Sequence, residues 1–279
     1  MEATVRGVPV HYVESGGGTP VLALHGVGVD HREIEGALEP VFAAAPGFRR
    51  LYPDLPGMGL TPAHGSLAGN DDVLDLLLDF IDTVIGPGPL LVIGHSYGGY
   101  LARAIAEHRP EQVVGLALVC PVGASTGDVP EHEVLVSSPG LSVDLGPELE
   151  ASYRGYFVVQ TADTLDRFRE TVAPAAPLVD ESGLARIFSR WALRRRPGPG
   201  APYAQPVLVL AGRQDSTSGF AGPAELAGQY PHCTLAVLDR AGHALLHEQP
   251  ALVQALIVEW LARAREDAGS PESRGAGSG

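Results

Sequence analysis

The stretch Gly94-His95-Ser96-Tyr97-Gly98-Gly99 constrains this chain more than any other. Leu90-Leu91-Val92-Ile93 before it is a short apolar run of the kind a buried strand uses. Tyr100 to His108 after it has helical spacing, with Leu101, Ala104 and Ile105 on one face and Arg103 with Glu107 on the other. A strand that becomes a helix this abruptly strains the residue at the turn. Its neighbours two positions away on either side must then lack a side chain. Gly94 and Gly98 meet that need, and Ser96 is the residue presented. Gly-x-Ser-x-Gly on a strand-to-helix turn is the nucleophile elbow.

The rest of the chain supplies strands and helices in turn. Thr4 to Glu14 alternates with period two around Gly7 and reads as one or two antiparallel edge strands. Val21-Leu22-Ala23-Leu24 is a buried strand ending at His25-Gly26-Val27-Gly28. Glu33 to Ala45 reads as a broken-up helix. Arg50 to Pro53 ends another strand, before the turn-rich Asp54-Leu55-Pro56-Gly57-Met58-Gly59. In the next helix Asn70 is placed to cap, Asp71 and Asp72 lie where the helix dipole favours acids, and Gly86-Pro87 stops it. Val113 to Val119, Pro206 to Ala211 and Cys233 to Leu238 are further strands, and Pro250 to Arg263 is a closing helix. From Val122 to about Tyr203 the rhythm is lost, though parts such as Ala162 to Val172 and Ser182 to Leu193 have helical character. Strands separated by helices predict an α/β fold with a mostly parallel sheet covered on both faces. Sites in such sheets form at the carboxyl ends of the strands.

A serine hydroxyl is a poor nucleophile at neutral pH. It needs a neighbouring base, and the base needs an orienting acid. Asp215 lies just past the strand that ends at Ala211, and His243 just past the one that ends at Leu238. His247 is a rival base four residues on. The rival acid position, after Val113 to Val119, reads Cys120-Pro121-Val122-Gly123 and holds no carboxylate before Asp128. Asp239 is too close to His243 in sequence to orient it comfortably.

With these motifs in place the chain resembles an α/β-hydrolase-fold serine hydrolase of the group with a helical cap. The resemblance spans roughly residues 4 to 264. It rests on His25-Gly26-Val27-Gly28, Pro53 to Gly59, Gly94 to Gly99, Gly212-Arg213-Gln214-Asp215, and Gly242-His243 followed by Glu248-Gln249-Pro250. It implies Ser96 as nucleophile, His243 as base and Asp215 as acid. It implies an oxyanion hole built from the backbone N–H groups of Val27 and Tyr97. The implied division is core at 1–122, helical cap at 123–203, core again at 204–264 and a disordered tail at 265–279. No cofactor and no metal are implied, and the implied chemistry is acyl transfer on an ester, lactone or thioester. Ser96 argues against epoxide hydrolases and haloalkane dehalogenases, which carry Asp at the elbow. The turn after His25 and Tyr97 argue against proline iminopeptidases. Carbon–carbon bond hydrolases share the layout and stay open, as do a lyase or cyclase on the same triad and a ligand-binding receptor with a vestigial triad.

Acidic residues number 33 and basic ones 19, giving a formal charge of −14. That balance argues against nucleic acid and anionic membranes as partners and leaves a small-molecule substrate, with a homodimer undecided. Cys120 and Cys233 read as buried, reduced core residues. With no secretory h-region at the N-terminus and no membrane-length apolar run, a cytoplasmic location is the expectation. His25 and His95 read as packed structural residues, His31 as a solvated loop residue, and Arg194-Arg195-Arg196 as a solvated edge. Tyr153, Tyr156, Phe157, Phe168, Phe188 and Trp191 either line an apolar pocket or pack within the cap.

Overall fold

The computed structural model describes residues 1–122, 129–194 and 203–269. In chain order come β1 (Glu2–Val5), β2 (Val8–Gly16), β3 (Thr19–Leu24), α1 (His31–Ala44), β4 (Phe48–Pro53), α2 (Asn70–Phe80), β5 (Leu90–His95), α3 (Tyr97–His108) and β6 (Val113–Val119). A less regular stretch follows, with β7 (Val136–Ser137), α4 (Pro147–Tyr156), β8 (Val159–Gln160), α5 (Ala162–Arg167) and α6 (Glu181–Phe188). The chain returns with β9 (Val207–Gly212), α7 (Ala221–Ala227), β10 (Cys233–Leu238), α8 (Leu245–Glu248) and α9 (Pro250–Gly269).

Eight strands form one sheet in the order β1-β2-β4-β3-β5-β6-β9-β10. β2 pairs antiparallel with both β1 and β4, and every pairing from β4 across to β10 is parallel. The central strands are apolar on both faces because both faces are covered. Leu22, Leu24, Leu90 and Val92 point to the layer of α2 and α3, while Val21, Ala23, Leu91 and Ile93 point to that of α1 and α9. Trp260 of α9 is wholly buried there, with its Nε1–H donating to the Pro206 carbonyl at 3.0 Å. That bond answers the one polar atom such a large core residue brings with it. No helix among the described residues is long and apolar enough to cross a membrane.

Local chemistry shifts several expected boundaries. The helix read as broken is continuous from His31 to Ala44, with Pro40 inside it and the Asp30 carboxylate capping Arg32 N–H at 3.1 Å. Asn70 does not cap α2: Gly69 takes that position, and Asn70 turns its side chain to Trp191 and Tyr97 instead. α9 runs to Gly269, past the Arg263 where its apolar pattern ends. Arg103, on the face opposite Leu101, Ala104 and Ile105, is buried as well. Arg194 matches the solvated edge, its Nε 3.0 Å from Asp71 Oδ2, while Asp128, Arg195 and Arg196 lie outside the described residues. Both cysteines are free, Cys120 buried and Cys233 half-buried.

Of the six aromatics singled out between residues 153 and 191, five fall into two packed groups. Tyr153, Phe157 and Phe168 pack together with Val143 and Leu165 in a small core of their own. Phe188 and Trp191 instead pack on the far side of the elbow, where Trp191 stacks on Tyr100 at 5.4 Å and both touch the Tyr97 ring. Tyr156 is the one of the six that reaches the cavity described next.

Candidate active site

Ser96 joins β5 to α3 at φ 52°, ψ −115°, a left-handed conformation that ordinary residues avoid. The flanking glycines are demanded by space. A Cβ on Gly94 would lie 2.3 Å from the Gly98 carbonyl oxygen, and one on Gly98 would lie 2.2 Å from that of Leu24. β3 and the start of α3 therefore touch backbone to backbone, and the serine is pushed out at the end of the sheet.

Asp215 and His243 arrive at the same end from β9 and β10. His243 Nε2 lies 2.9 Å from Ser96 Oγ, and His243 Nδ1 lies 2.9 Å from Asp215 Oδ2. Ser96, His243 and Asp215 are 6 %, 8 % and 0 % exposed, so little water competes for these bonds. The Asp215 turn closes on its own side chain. Oδ1 accepts from the Thr217 and Ser218 N–H groups at 2.8 Å each, and Oδ2 accepts from Ser218 Oγ at 2.7 Å. Burial alone would raise the Asp215 pKa, but the bonds from His243 and Ser218 outweigh it and hold the carboxyl down at about 2. The line therefore reads as Ser Oγ–H to Nε2 and Nδ1–H to an ionised carboxylate.

A cavity of ≈ 250 Å³ opens beside Ser96, lined among others by Gly26, Val27, Val29, Tyr156 and His243. Val27 follows Gly26 in the turn after β3 and is 45 % exposed. A Cβ on Gly26 would sit 3.3 Å from Ser96 Cβ, so this turn lies flush on the elbow. His25 pins it: Nδ1–H donates to the Gly26 carbonyl at 2.7 Å, and Nε2 accepts from Leu55 N–H at 2.9 Å. Burial lowers the His25 pKa, in keeping with that neutral form. Tyr97 opens α3, where the first N–H groups of a helix lack intrahelical partners. Its side chain turns away, donating to Asn70 Oδ1 at 2.7 Å.

Four features escaped the sequence reading. Ser218 supports Asp215, and the run Asp215-Ser216-Thr217-Ser218 past a strand end is a pattern that could have shown it. Glu248 is 7 % exposed and accepts from Gly242 N–H at 2.6 Å, Val158 N–H at 2.6 Å and Val159 N–H at 3.1 Å, tying the His243 loop to β8. Burial pushes its pKa up to about 7 against those bonds. His31 is not a solvated loop residue. Its Nδ1 lies 2.7 Å from Asp54 Oδ1, and His11 Nδ1 lies 2.8 Å from Asp54 Oδ2. Glu33, where the sequence marks only the start of a helix, is wholly buried beside His95 and His247. Among the described residues, two sets of side chains bring three metal-competent atoms within 4.8 Å of one another: His95, Cys120 and His243, and His11, His31 and Asp54. In both sets the histidines are already engaged with Ser96, Asp215, Glu33 or Asp54.

A mostly parallel sheet, a strained serine at the end of the central strand β5, and an acid and a histidine past the ends of β9 and β10 define a class of hydrolase fold. The model of the alpha/beta hydrolase family matches residues 21–256, and the chain belongs to that family. An alpha/beta superfamily hydrolase from Oenococcus oeni superposes with a TM-score of 0.87 at 26% identity, over 95% of this chain and 99% of that one. The chain is also similar to an (E)-2-((N-methylformamido)methylene)succinate hydrolase of Acinetobacter baylyi, 25% identical over 90% of this chain and 93% of that protein. A pimeloyl-[acyl-carrier protein] methyl ester esterase of Shewanella woodyi is 27% identical over 90% and 97%.

Proposed function

We propose that the chain is a serine hydrolase cleaving a carboxylic ester, lactone or thioester of a small to medium, partly apolar substrate through an acyl-enzyme on Ser96. The observation that carries this reading is the unbroken line Ser96 Oγ–His243 Nε2 and His243 Nδ1–Asp215 Oδ2, 2.9 Å at each step, beside a cavity. Ser96 Oγ attacks the carbonyl carbon while His243 takes its proton. Asp215 holds the imidazole and stabilises its protonated form. The backbone N–H groups of Val27 and Tyr97 receive the oxyanion, each contributing roughly 3–4 kcal/mol to the transition state. His243 returns the proton to the leaving group, then activates the water that releases the acid. We assign 123–203 the role of a cap, with α4 supplying Tyr156 to the cavity wall.

A carbon–carbon bond hydrolase is the second reading. It is favoured by similarity to a 2-hydroxy-6-oxononadienedioate/2-hydroxy-6-oxononatrienedioate hydrolase of Burkholderia vietnamiensis, 26% identical over 91% of both chains. A fluorophosphonate probe followed by intact-mass measurement tests the shared machinery. One adduct is expected, absent in Ser96→Ala, and unlabelled folded wild type would refute the activated serine. A series of p-nitrophenyl esters then separates the readings: turnover supports the esterase, and labelling without turnover favours the second.

A further inference from the structure

Glu33 sits in the first turn of α1 and is wholly buried. Its Oε1 lies 2.9 Å from His95 Nδ1, 3.3 Å from the Tyr156 hydroxyl and 3.9 Å from His247 Nε2. β5, α4 and α8 thus converge on one carboxylate. His95 reaches further. Its Nε2 lies 3.2 Å from the backbone oxygen of His243, and the two rings are 5.1 Å apart.

The proton inventory follows from the partners. A carbonyl oxygen only accepts, so His95 Nε2 carries a proton. Nδ1 faces Glu33 Oε1 at ion-pair distance without the alignment of a hydrogen bond, and a carboxylate held ionised attracts a proton to it. The charge attraction between the two side chains favours the ion pair. Burial opposes both charges, yet attraction prevails. His95 and His247 hold the Glu33 carboxyl well below its ordinary value, and Glu33 raises the His95 pKa. A buried ion pair of this kind is a weak source of stability, because apolar residues of equal volume do as well or better. What sets this pair apart is where its far end rests.

We propose that Glu33 is a positioning residue for His243, orienting His95 so that its Nε2–H anchors the His243 carbonyl and thereby the imidazole that faces Ser96. The inference rests on the reading of Ser96 and His243 as nucleophile and base. Asp215 governs the ring of His243, and the Glu33–His95 relay governs its backbone. Glu33 is set behind the cavity, whose wall is formed in front of it by His95 and Tyr156.

Two variants separate positioning from packing. Glu33→Met removes the acceptor at similar volume. Glu33→Gln keeps a polar end whose amide donates to Nδ1, leaving Nε2–H on the His243 carbonyl. Active sites are counted with fluorophosphonate, and kcat and KM for p-nitrophenyl butyrate are expressed per labelled site. Glu33→Met is expected to lower kcat and the labelling rate about tenfold or more with KM within about twofold, and Glu33→Gln to recover most of the loss. Lower melting temperatures in both variants, with rates per site unchanged, would overturn the proposal. Absence of any adduct on wild type would instead remove the reading of Ser96 beneath it. If Glu33→Met does not fold, wild type with 15N-labelled histidine decides. His95 Nε2 should be protonated at neutral pH, and the Nε2–H signal should move when Ser96 is phosphonylated. An unprotonated Nε2, or an unmoved signal, overturns the relay.

Discussion

Replacing Asp54 by Asn removes one charge from a side chain that is 1 % exposed and accepts four hydrogen bonds. Oδ1 takes His31 N–H at 2.9 Å and His31 Nδ1 at 2.7 Å; Oδ2 takes His11 Nδ1 at 2.8 Å and Leu60 N–H at 2.9 Å. Asn keeps one acceptor oxygen, so two of these donors would face an NH2 group instead. Stranding buried partners of a charge is expected to cost about 3–5 kcal/mol. For a chain of this size that corresponds to a melting temperature lower by roughly 10 °C. The sign with pH can be worked out from His31. Burial lowers its pKa, but the hydrogen bond and charge of Asp54 outweigh that and raise it. A raised histidine adds stability that is full below its ordinary pKa and is lost as pH climbs through the raised value. The gap between wild type and Asp54→Asn should therefore be widest near about pH 6 and narrow toward about pH 9. Thermal unfolding followed by circular dichroism at three pH values reads this directly. A gap under about 2 °C at the acid end, or one that widens with pH, would refute the account of this hub.

Further outcomes follow from the site. Asp215→Asn should keep the fold and lower kcat by about 10⁴-fold, because the amide no longer fixes the imidazole; a loss under tenfold in an ester assay would count against the acid. The folded pKa of Glu248, about 7, lies above its ordinary 4.5, so the folded state holds this proton more tightly between those values and loses stability as pH rises through them. Glu248→Gln minus wild type in melting temperature should accordingly become more positive from about pH 5 to about pH 8, and the opposite slope would overturn it. Gly98→Ala forces a Cβ against the Leu24 carbonyl oxygen and should abolish soluble folded protein; a variant that melts like wild type would show that β3 and α3 are not in backbone contact.

The elbow and the order of Ser96, Asp215 and His243 were legible because their signals are local: an apolar run, a turn residue, a polar residue at a strand end. What was hidden is non-local. Glu33 stands next to Ile34 in α1, and nothing within the helix says that His95 and His247 will close over it. His31 looked solvated because its partner, Asp54, is brought to it by the pairing of β3 with β4. The aromatics of 129–194 could not be apportioned, since Phe188 and Trp191 find their neighbours on α3 and Tyr153 finds its own in α5 and the turn after it. Asn70 had the side chain of a cap but a stronger claim from Tyr97, a residue remote in sequence.

The sheet order β4-β3-β5-β6-β9-β10 has a consequence for how the protein is made. Ser96 and His243 meet across 147 positions of chain, and Glu33 and His247 across more. Closing loops of that length is slow relative to forming hairpins or single helices. A nascent chain released only through β6 already holds Ser96 but has neither Asp215 nor His243. The proposed activity should thus emerge at the last stage of synthesis, after α8 has docked. Recovered activity would then serve as a clock for completion of the whole parallel sheet during refolding.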